Sequence, residues 1–335
     1  MLPTGQPRAL EDGPRFDVEE IAARLDADVV YPPSGSGPFS ALERRSRQLG
    51  HWGQAILALR TRPELILSLA EKVGLAVEML NRRPQRPHVV VAHHLTSPRR
   101  QAFQRCTGWL NRLERVIVVS RVQARYLVEV AGLSAQRVRF VYDKVDHRFF
   151  SPQGGADDGY VVSVGRSRRD YPTLIEALRL LDVPAVIVPS SPWLHDAQLD
   201  LRLPDHVRVE HDLSFLELRR LYDRAALAVV PLHGGTDFAA GVNAILEGMA
   251  MRLPLVVSST SGIADYVEDG VTAALVPPGD VGALREAISR LLSDRQEASR
   301  LAGAGRALVD SGRNLDGYVD AVASIAREAA ASRAT

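Results

Sequence analysis

Short runs of apolar, β-branched residues recur along the 335-residue chain, each separated from the next by a segment of helical character. They are HVVVAHH (88–94), VIVVS (116–120), VVSVG (161–165), AVIVPS (185–190), ALAVVPL (226–232) and LPLVVSS (253–259). None alternates polar with apolar positions, so both faces of each strand need covering, as in a parallel sheet flanked by helices. The repeated strand–helix order predicts an α/β chain with two doubly wound parallel sheets. Ahead of these runs, DVEEIAARLDA (17–27) reads as a short helix and DVVYPP (28–33) as a strand stopped by proline. Residues 1–15 read as a loose end, SGSGP (34–38) as a flexible loop, residues around 40–50 as a basic helix, and residues 99–115 as a further helix. A break belongs near HRFFSPQGGADDG (147–159), where the apolar pattern gives way to Gly and Asp. That placement divides the chain into an N-terminal domain over 1–150 and a C-terminal domain over 151–314.

Composition narrows the function classes. The chain is 46% hydrophobic and only 6% aromatic, enough for two aliphatic cores of ordinary size. A net charge of +1 gives no global attraction for nucleic acid. With Cys106 as the single cysteine, an intramolecular disulfide and a cysteine-based zinc site are both excluded. The chain shows neither a signal-type apolar segment nor an 18-residue apolar span, so a cytoplasmic protein is expected. G-x-S-x-G, H-E-x-x-H and G-x-x-x-x-G-K-[ST] do not occur, which removes the residues that hydrolase-elbow, zincin and P-loop chemistry need.

The segment at 233–279 is the most informative about chemistry. Gly241, Val242 and Asn243 stand just before an apolar run that includes Ala244, Ile245, Leu246, Met249 and Ala250, so a helix is expected to open near Gly241 with unpaired amides. Such an end suits a diphosphate. Glu247 follows one turn later, about 6 Å along the axis and on the face of Asn243, where a carboxylate can accept ribose hydroxyls. His93, Gly165, Pro189 and His233 sit at carboxyl ends of strands, where ligands bind in open parallel sheets. Arg166, Arg168 and Arg169 in RSRRD supply cations beside Gly165, with room for one of the last two to point inward.

NAILEGMAMRLPLVVSSTSGIADYVEDG (243–270) resembles the donor-binding segment of retaining GT-B glycosyltransferases, the nucleotide-sugar-dependent group. VVSVGRSRRDYPTLIEAL (161–178) is similar to that family's first C-terminal-domain strand, loop and helix, and residues 115–152 to its last N-terminal-domain strand and helix followed by the segment that crosses into the second domain. The match is close over about 115–295 and faint before 87. The resemblance implies a GT-B fold of two Rossmann-like domains facing across a cleft, with a C-terminal helix at 315–335 packing back on the first domain. It further implies that Glu247 matches the second acid of an E-x7-E motif, that Arg166 binds phosphate, and that His93 lies near the reacting sugar. The first acid of that motif is absent, with Ala239 in its place and Asp237 two residues out of register.

Several residues carry two readings. Asp237 is either a substitute for the missing acid or a turn residue; His93 and His94 either contact sugar or are satisfied polar groups; Lys144, in DKVD, either reaches phosphate or decorates a turn. Arg99 and its neighbours form either a face for an anionic acceptor or membrane surface, or a helix whose arginines face water. Trp52 and Tyr31 fit an acceptor pocket as well as core or surface. The expected function is metal-independent, retaining transfer of a sugar from a UDP- or GDP-linked donor to a hydroxyl acceptor, without a cofactor and with closure of the domains around the donor. The alternatives are an epimerase or hydrolase of nucleotide sugars, or a donor-binding partner protein.

Overall fold

A computed structural model describes residues 13–31, 47–81, 86–96, 98–155, 157–189 and 202–332. Residues 1–12, SGSGP at 34–38 and most of the basic stretch at 40–50 lie outside them. Two compact units make up the chain: Phe16–Val141 with Val319–Thr335, and Tyr142–Tyr318 with the segment that ends at Arg15.

The N-terminal unit runs α1 (Asp17–Leu25), α2 (Arg47–Arg60), β1 (Ile66–Ser68), α3 (Glu71–Leu80), β2 (His88–Ala92), α4 (Pro98–Thr107), β3 (Arg115–Val118), α5 (Arg121–Arg125) and β4 (Val138–Phe140). Its described strands pair in parallel in the order β1-β2-β3-β4. Val90, Ala92, Val116 and Val118 meet Trp109, Leu110, Leu113 and Leu127 in a buried cluster. Two expectations fail here. Residues 28–31 are not a strand. The Gln54 side-chain amide donates to Val30 O at 2.6 Å, and the two prolines that follow have no N–H for a ladder. The helix expected over 99–115 stops at Thr107 because Gly108 takes φ 56° and starts a 3-10 turn, Trp109–Arg112, that drives Trp109 and Leu110 into the core.

The C-terminal unit runs β5 (Tyr160–Val164), α6 (Tyr171–Arg179), β6 (Ala185–Val188), β7 (Val207–Val209), α7 (Phe215–Asp223), β8 (Ala225–Val230), α8 (Val242–Ala250), β9 (Leu255–Ser258), β10 (Ala274–Val276), α9 (Val281–Ser293) and α10 (Arg295–Asp310). The helix α11 (Leu315–Ala331) begins in this unit and continues in the N-terminal one. The described strands are again parallel, in the order β10-β9-β8-β5-β6-β7. Alternate residues of one strand enter different cores. Val162, Val164, Ala228 and Val230 join the α7 and α8 residues Leu218, Tyr222, Ile245 and Met249, whereas Val161, Leu227 and Val229 join Leu174 and Ile288 of α6 and α9. Helices on both sheet faces therefore account for the unbroken β-branched runs.

The division between units falls at Val141/Tyr142, ahead of the stretch at 147–159 where the apolar pattern changes. Val145, Phe149 and Phe150 share a buried cluster with Tyr160 and Tyr222, so the turn they occupy packs with the C-terminal unit. The end of the N-terminal segment is fixed in that unit as well. Arg15 donates to Asp146 from its backbone N and Nη2, both at 2.8 Å, and to Asp316 from Nη1 at 2.8 Å. No helix among the described residues is long and apolar enough to cross a membrane.

Strand order places the site. β5 has β6 on one side and β8 on the other, so the chain leaves the sheet centre in opposite directions, and the loops after β5 and β8 flank the crevice where such sheets bind ligands.

Candidate functional site

The loops that follow β5 and β8 are joined by main-chain hydrogen bonds. Asp170 N donates to Pro231 O at 3.1 Å, and His233 N donates to Arg168 O at 3.0 Å. Asp170 is also held by α6, whose first turn it caps: Thr173 N and Oγ1 donate to its carboxylate at 3.3 and 2.8 Å. Arg168, exposed and at φ 59°, reaches over the second loop, with Nε 3.2 Å from Thr236 Oγ1 and Nη2 3.1 Å from Gly234 O. A non-glycine residue in that backbone region is strained by about 1–3 kcal/mol and persists only where its surroundings hold it.

Arg169 turns the other way. It is buried, and its guanidinium donates to Val164 O from Nε at 3.0 Å and Nη2 at 2.8 Å, and to Ser167 O from Nη1 at 3.2 Å. Of the two arginines Arg168 and Arg169, one thus lies outside and one inside. The inner guanidinium fits only because two glycines flank it. A Cβ on Gly165 would lie 2.4 Å from Arg169 Nη2, and one on Gly241 would lie 3.1 Å from Nη1. Both glycines have positive φ, 110° and 88°. Gly165→Ala is therefore expected to destabilise the C-terminal unit by about 1–3 kcal/mol, through backbone strain and displacement of Arg169 from Val164 O. Thermal unfolding checks this, and a variant melting with the parent would contradict the packing described.

Gly241 opens α8 as the sequence predicts, without a side-chain cap, and the first intrahelical bond runs from Ile245 N to Gly241 O. The amides of Val242, Asn243 and Ala244 thus have no acceptor within the helix. Val242 is fully buried, while Asn243 is exposed. One turn on, Glu247 accepts a hydrogen bond from Tyr222 Oη at 3.0 Å. Burial pushes the Glu247 carboxyl up to about 7, against the lowering effects of that hydrogen bond and of the Arg169 charge. Burial likewise pushes the Tyr222 phenol well above its ordinary range, reinforced by the adjacent carboxylate. A group that titrates near neutrality at a ligand crevice is a marker of a functional site.

The C-terminal unit thus brings Gly165, Arg168, Arg169, Gly241, Val242, Asn243 and Glu247 to the switch point, with Arg166 exposed on the same turn. Asp237 is partly buried in the loop after β8, and Ala239 packs against the apolar core, so the position of the missing acid is filled by a methyl group against hydrocarbon. Lys144 has Nζ 3.4 Å from Asp143 Oδ1 and 4.5 Å from the centroid of the Tyr318 ring. His93 and His94 follow β2 in the N-terminal unit, both partly buried; His93 N donates to Glu71 Oε2 at 3.3 Å and its carbonyl accepts from Gln123 Nε2 at 2.8 Å. Arg99 lies in α4, and its side chain falls outside the described residues. Trp52 is exposed and Tyr31 partly buried. Among the described residues no three His, Cys, Asp or Glu side chains gather to hold a metal ion.

Sequence reasoning missed Tyr222 and Thr236. Ser214 and Glu217 form a capping box that marks the start of α7 and so the helical setting of Tyr222. Nothing local marks its partner, which lies 25 residues away.

Residues 159–294 match the family described as Glycosyl transferases group 1, and residues 9–149 match Glycosyltransferase Family 4. D-inositol 3-phosphate glycosyltransferase of Mycolicibacterium smegmatis is 28% identical over 207 residues, covering 56% of this chain and 46% of that protein. The chain spans about half the length of the curated relatives it matches. Sucrose-phosphate synthase from Thermosynechococcus elongatus superposes with a TM-score of 0.74 at 21% identity, covering 94% of this chain and 92% of that one. The structure of Anabaena HepE in complex with UDP and glucose gives 0.71 at 18% identity, with 96% of each chain covered.

Proposed function

On the GT-B fold that the chain shares with these proteins, and with glycosyltransferase family matches in both halves, we propose that it transfers a sugar from a nucleoside diphosphate donor to a hydroxyl acceptor. The observation that carries this reading is the pairing of the uncapped start of α8 with Glu247 one turn later, at the switch point of the sheet. Amides and a helix dipole suit a diphosphate, and a partly buried carboxylate suits a ribose. The UDP and glucose bound in the Anabaena protein support a donor of this class.

Catalysis follows from electrostatics. As the sugar–phosphate bond breaks, charge grows on the departing diphosphate, where the amides of α8 and the exposed guanidinium groups of Arg166 and Arg168 stabilise it. The buried guanidinium of Arg169 holds the loop after β5 on Val164 O and Ser167 O, and Arg168 reaches from that loop to Thr236 and Gly234 of the loop after β8. Preorganised donors of this kind contribute a few kcal/mol each to the barrier. Transfer is proposed to retain anomeric configuration, which NMR of the product reads.

With arginines and amides meeting the phosphates, release of UDP or GDP from nucleotide sugars is expected to persist in excess EDTA. Turnover lost on chelation and restored by magnesium or manganese would contradict that mechanism. The same assay, run with and without acceptor extracts, tests the function itself. Acceptor-dependent release supports transfer, and acceptor-independent release points to a hydrolase. Binding without release identifies a donor-binding partner, the outcome to which Ala239 lends weight.

A further inference from the structure

We propose that Tyr222 is a positioning residue for the donor nucleoside: its buried hydroxyl holds one carboxylate oxygen of Glu247 and leaves the other to a ribose hydroxyl. The inference rests on the donor reading above. Tyr222 is fully buried on α7 and donates to Glu247 Oε2 at 3.0 Å, while Glu247 Oε1 has no hydrogen-bond partner among the described residues. A phenol buried this deeply has lost its water, so a partner that stays in place is worth more to it than an intermittent one. The ring is set by packing against apolar neighbours: Phe150 meets it edge-on with centroids 6.3 Å apart, and Val164, Leu218 and Ile245 belong to the same buried cluster.

The charges around Glu247 make the tyrosine matter. Arg169 approaches from the turn after β5 but spends its donors on Val164 O and Ser167 O, so it acts on Glu247 through its field. Tyr171 of α6 faces Arg169 and Tyr222 and donates to Gly165 O. The strands β8 and β9 under α8 bring apolar residues, apart from Ser258, whose hydroxyl accepts from Leu232 N. From α10, Arg306 binds Ala250 O at the opposite end of α8. Tyr222 is thus the direct donor to the carboxylate, and a hydrogen bond to the charged form favours that form. Without it, the carboxyl holds its proton to higher pH and accepts a ribose hydroxyl poorly.

Calorimetric titration tests this with UDP, GDP and 2′,3′-dideoxy-UDP. In the unsubstituted protein, affinity for UDP or GDP, but not for the dideoxy compound, should fall as pH drops through about 7. Tyr222→Phe should bind the ribonucleotide about fivefold more weakly near neutral pH, with the deficit narrowing in alkali, and should leave dideoxy-UDP unchanged. On a Glu247→Gln background the same substitution should add nothing. A natively melting Tyr222→Phe protein that binds UDP and GDP like its parent at every pH overturns the proposal and leaves the donor reading standing. If the variant fails to fold, a flat pH profile in the unsubstituted protein overturns it instead. Failure of both UDP and GDP to bind the unsubstituted protein removes the donor reading and this role together.

Discussion

Glu247→Gln is expected to weaken nucleotide binding while making the protein more resistant to unfolding in mild alkali. Loss of hydrogen bonds to a charged group reduces affinity by about 1.5–3 kcal/mol, roughly tenfold to a hundredfold. Stability moves the other way. The folded carboxyl titrates at about 7 against an ordinary value of 4.5. Stabilisation from the bound proton is therefore complete below the ordinary value and lost as pH rises through the folded one. Above about pH 7 the folded protein carries a partly buried, desolvated carboxylate at a cost of about 3 kcal/mol, which glutamine avoids. Parent and variant should melt together in acid and separate in alkali, the variant melting higher. Undiminished nucleotide affinity in a natively melting variant would remove Glu247 from the site.

Glu78→Ala should have the largest effect on the N-terminal unit. Ser68 Oγ lies 3.0 Å from His88 Nε2, and His88 Nδ1 lies 2.6 Å from Glu78 Oε1, with all three residues buried. The chain joins β1, β2 and α3 through groups that cannot turn to water. Removing one partner leaves a buried ring nitrogen without its hydrogen bond, at a cost of about 1–3 kcal/mol. On the scale of this unit the melting temperature should drop by on the order of 10 °C. Replacing Glu78 by Gln, which keeps a hydrogen-bonding group, should recover part of the loss. A Glu78→Ala protein melting within about 2 °C of its parent would show that the network contributes little.

The central strands were legible in the sequence, and the outer ones were not. β2, β3, β5, β6, β8 and β9 coincide with the β-branched runs because both their faces are buried. β1, β4, β7 and β10, at the sheet edges, are three residues each, ILS, VRF, VRV and ALV, too short for any periodicity to register. They are extended because a neighbour pairs with them. β1 also merges in sequence with the apolar face of α3, so ELILSLAEKVG shows no boundary. Within the site, the glycine-led start of α8 and the face of Glu247 were local properties and could be read. The inward turn of Arg169 depends on empty space at Gly165 and Gly241, 76 residues apart, and the Tyr222–Glu247 bond joins two helices across a strand. Such relations arise only on folding.

The most direct test of the account is a crystal structure with UDP or GDP soaked to saturation. The account predicts phosphate density at the amides of 242–244, beside Arg168, with the ribose hydroxyls on Glu247. A nucleotide bound with its ribose away from Glu247 and its phosphates away from the start of α8 would contradict it.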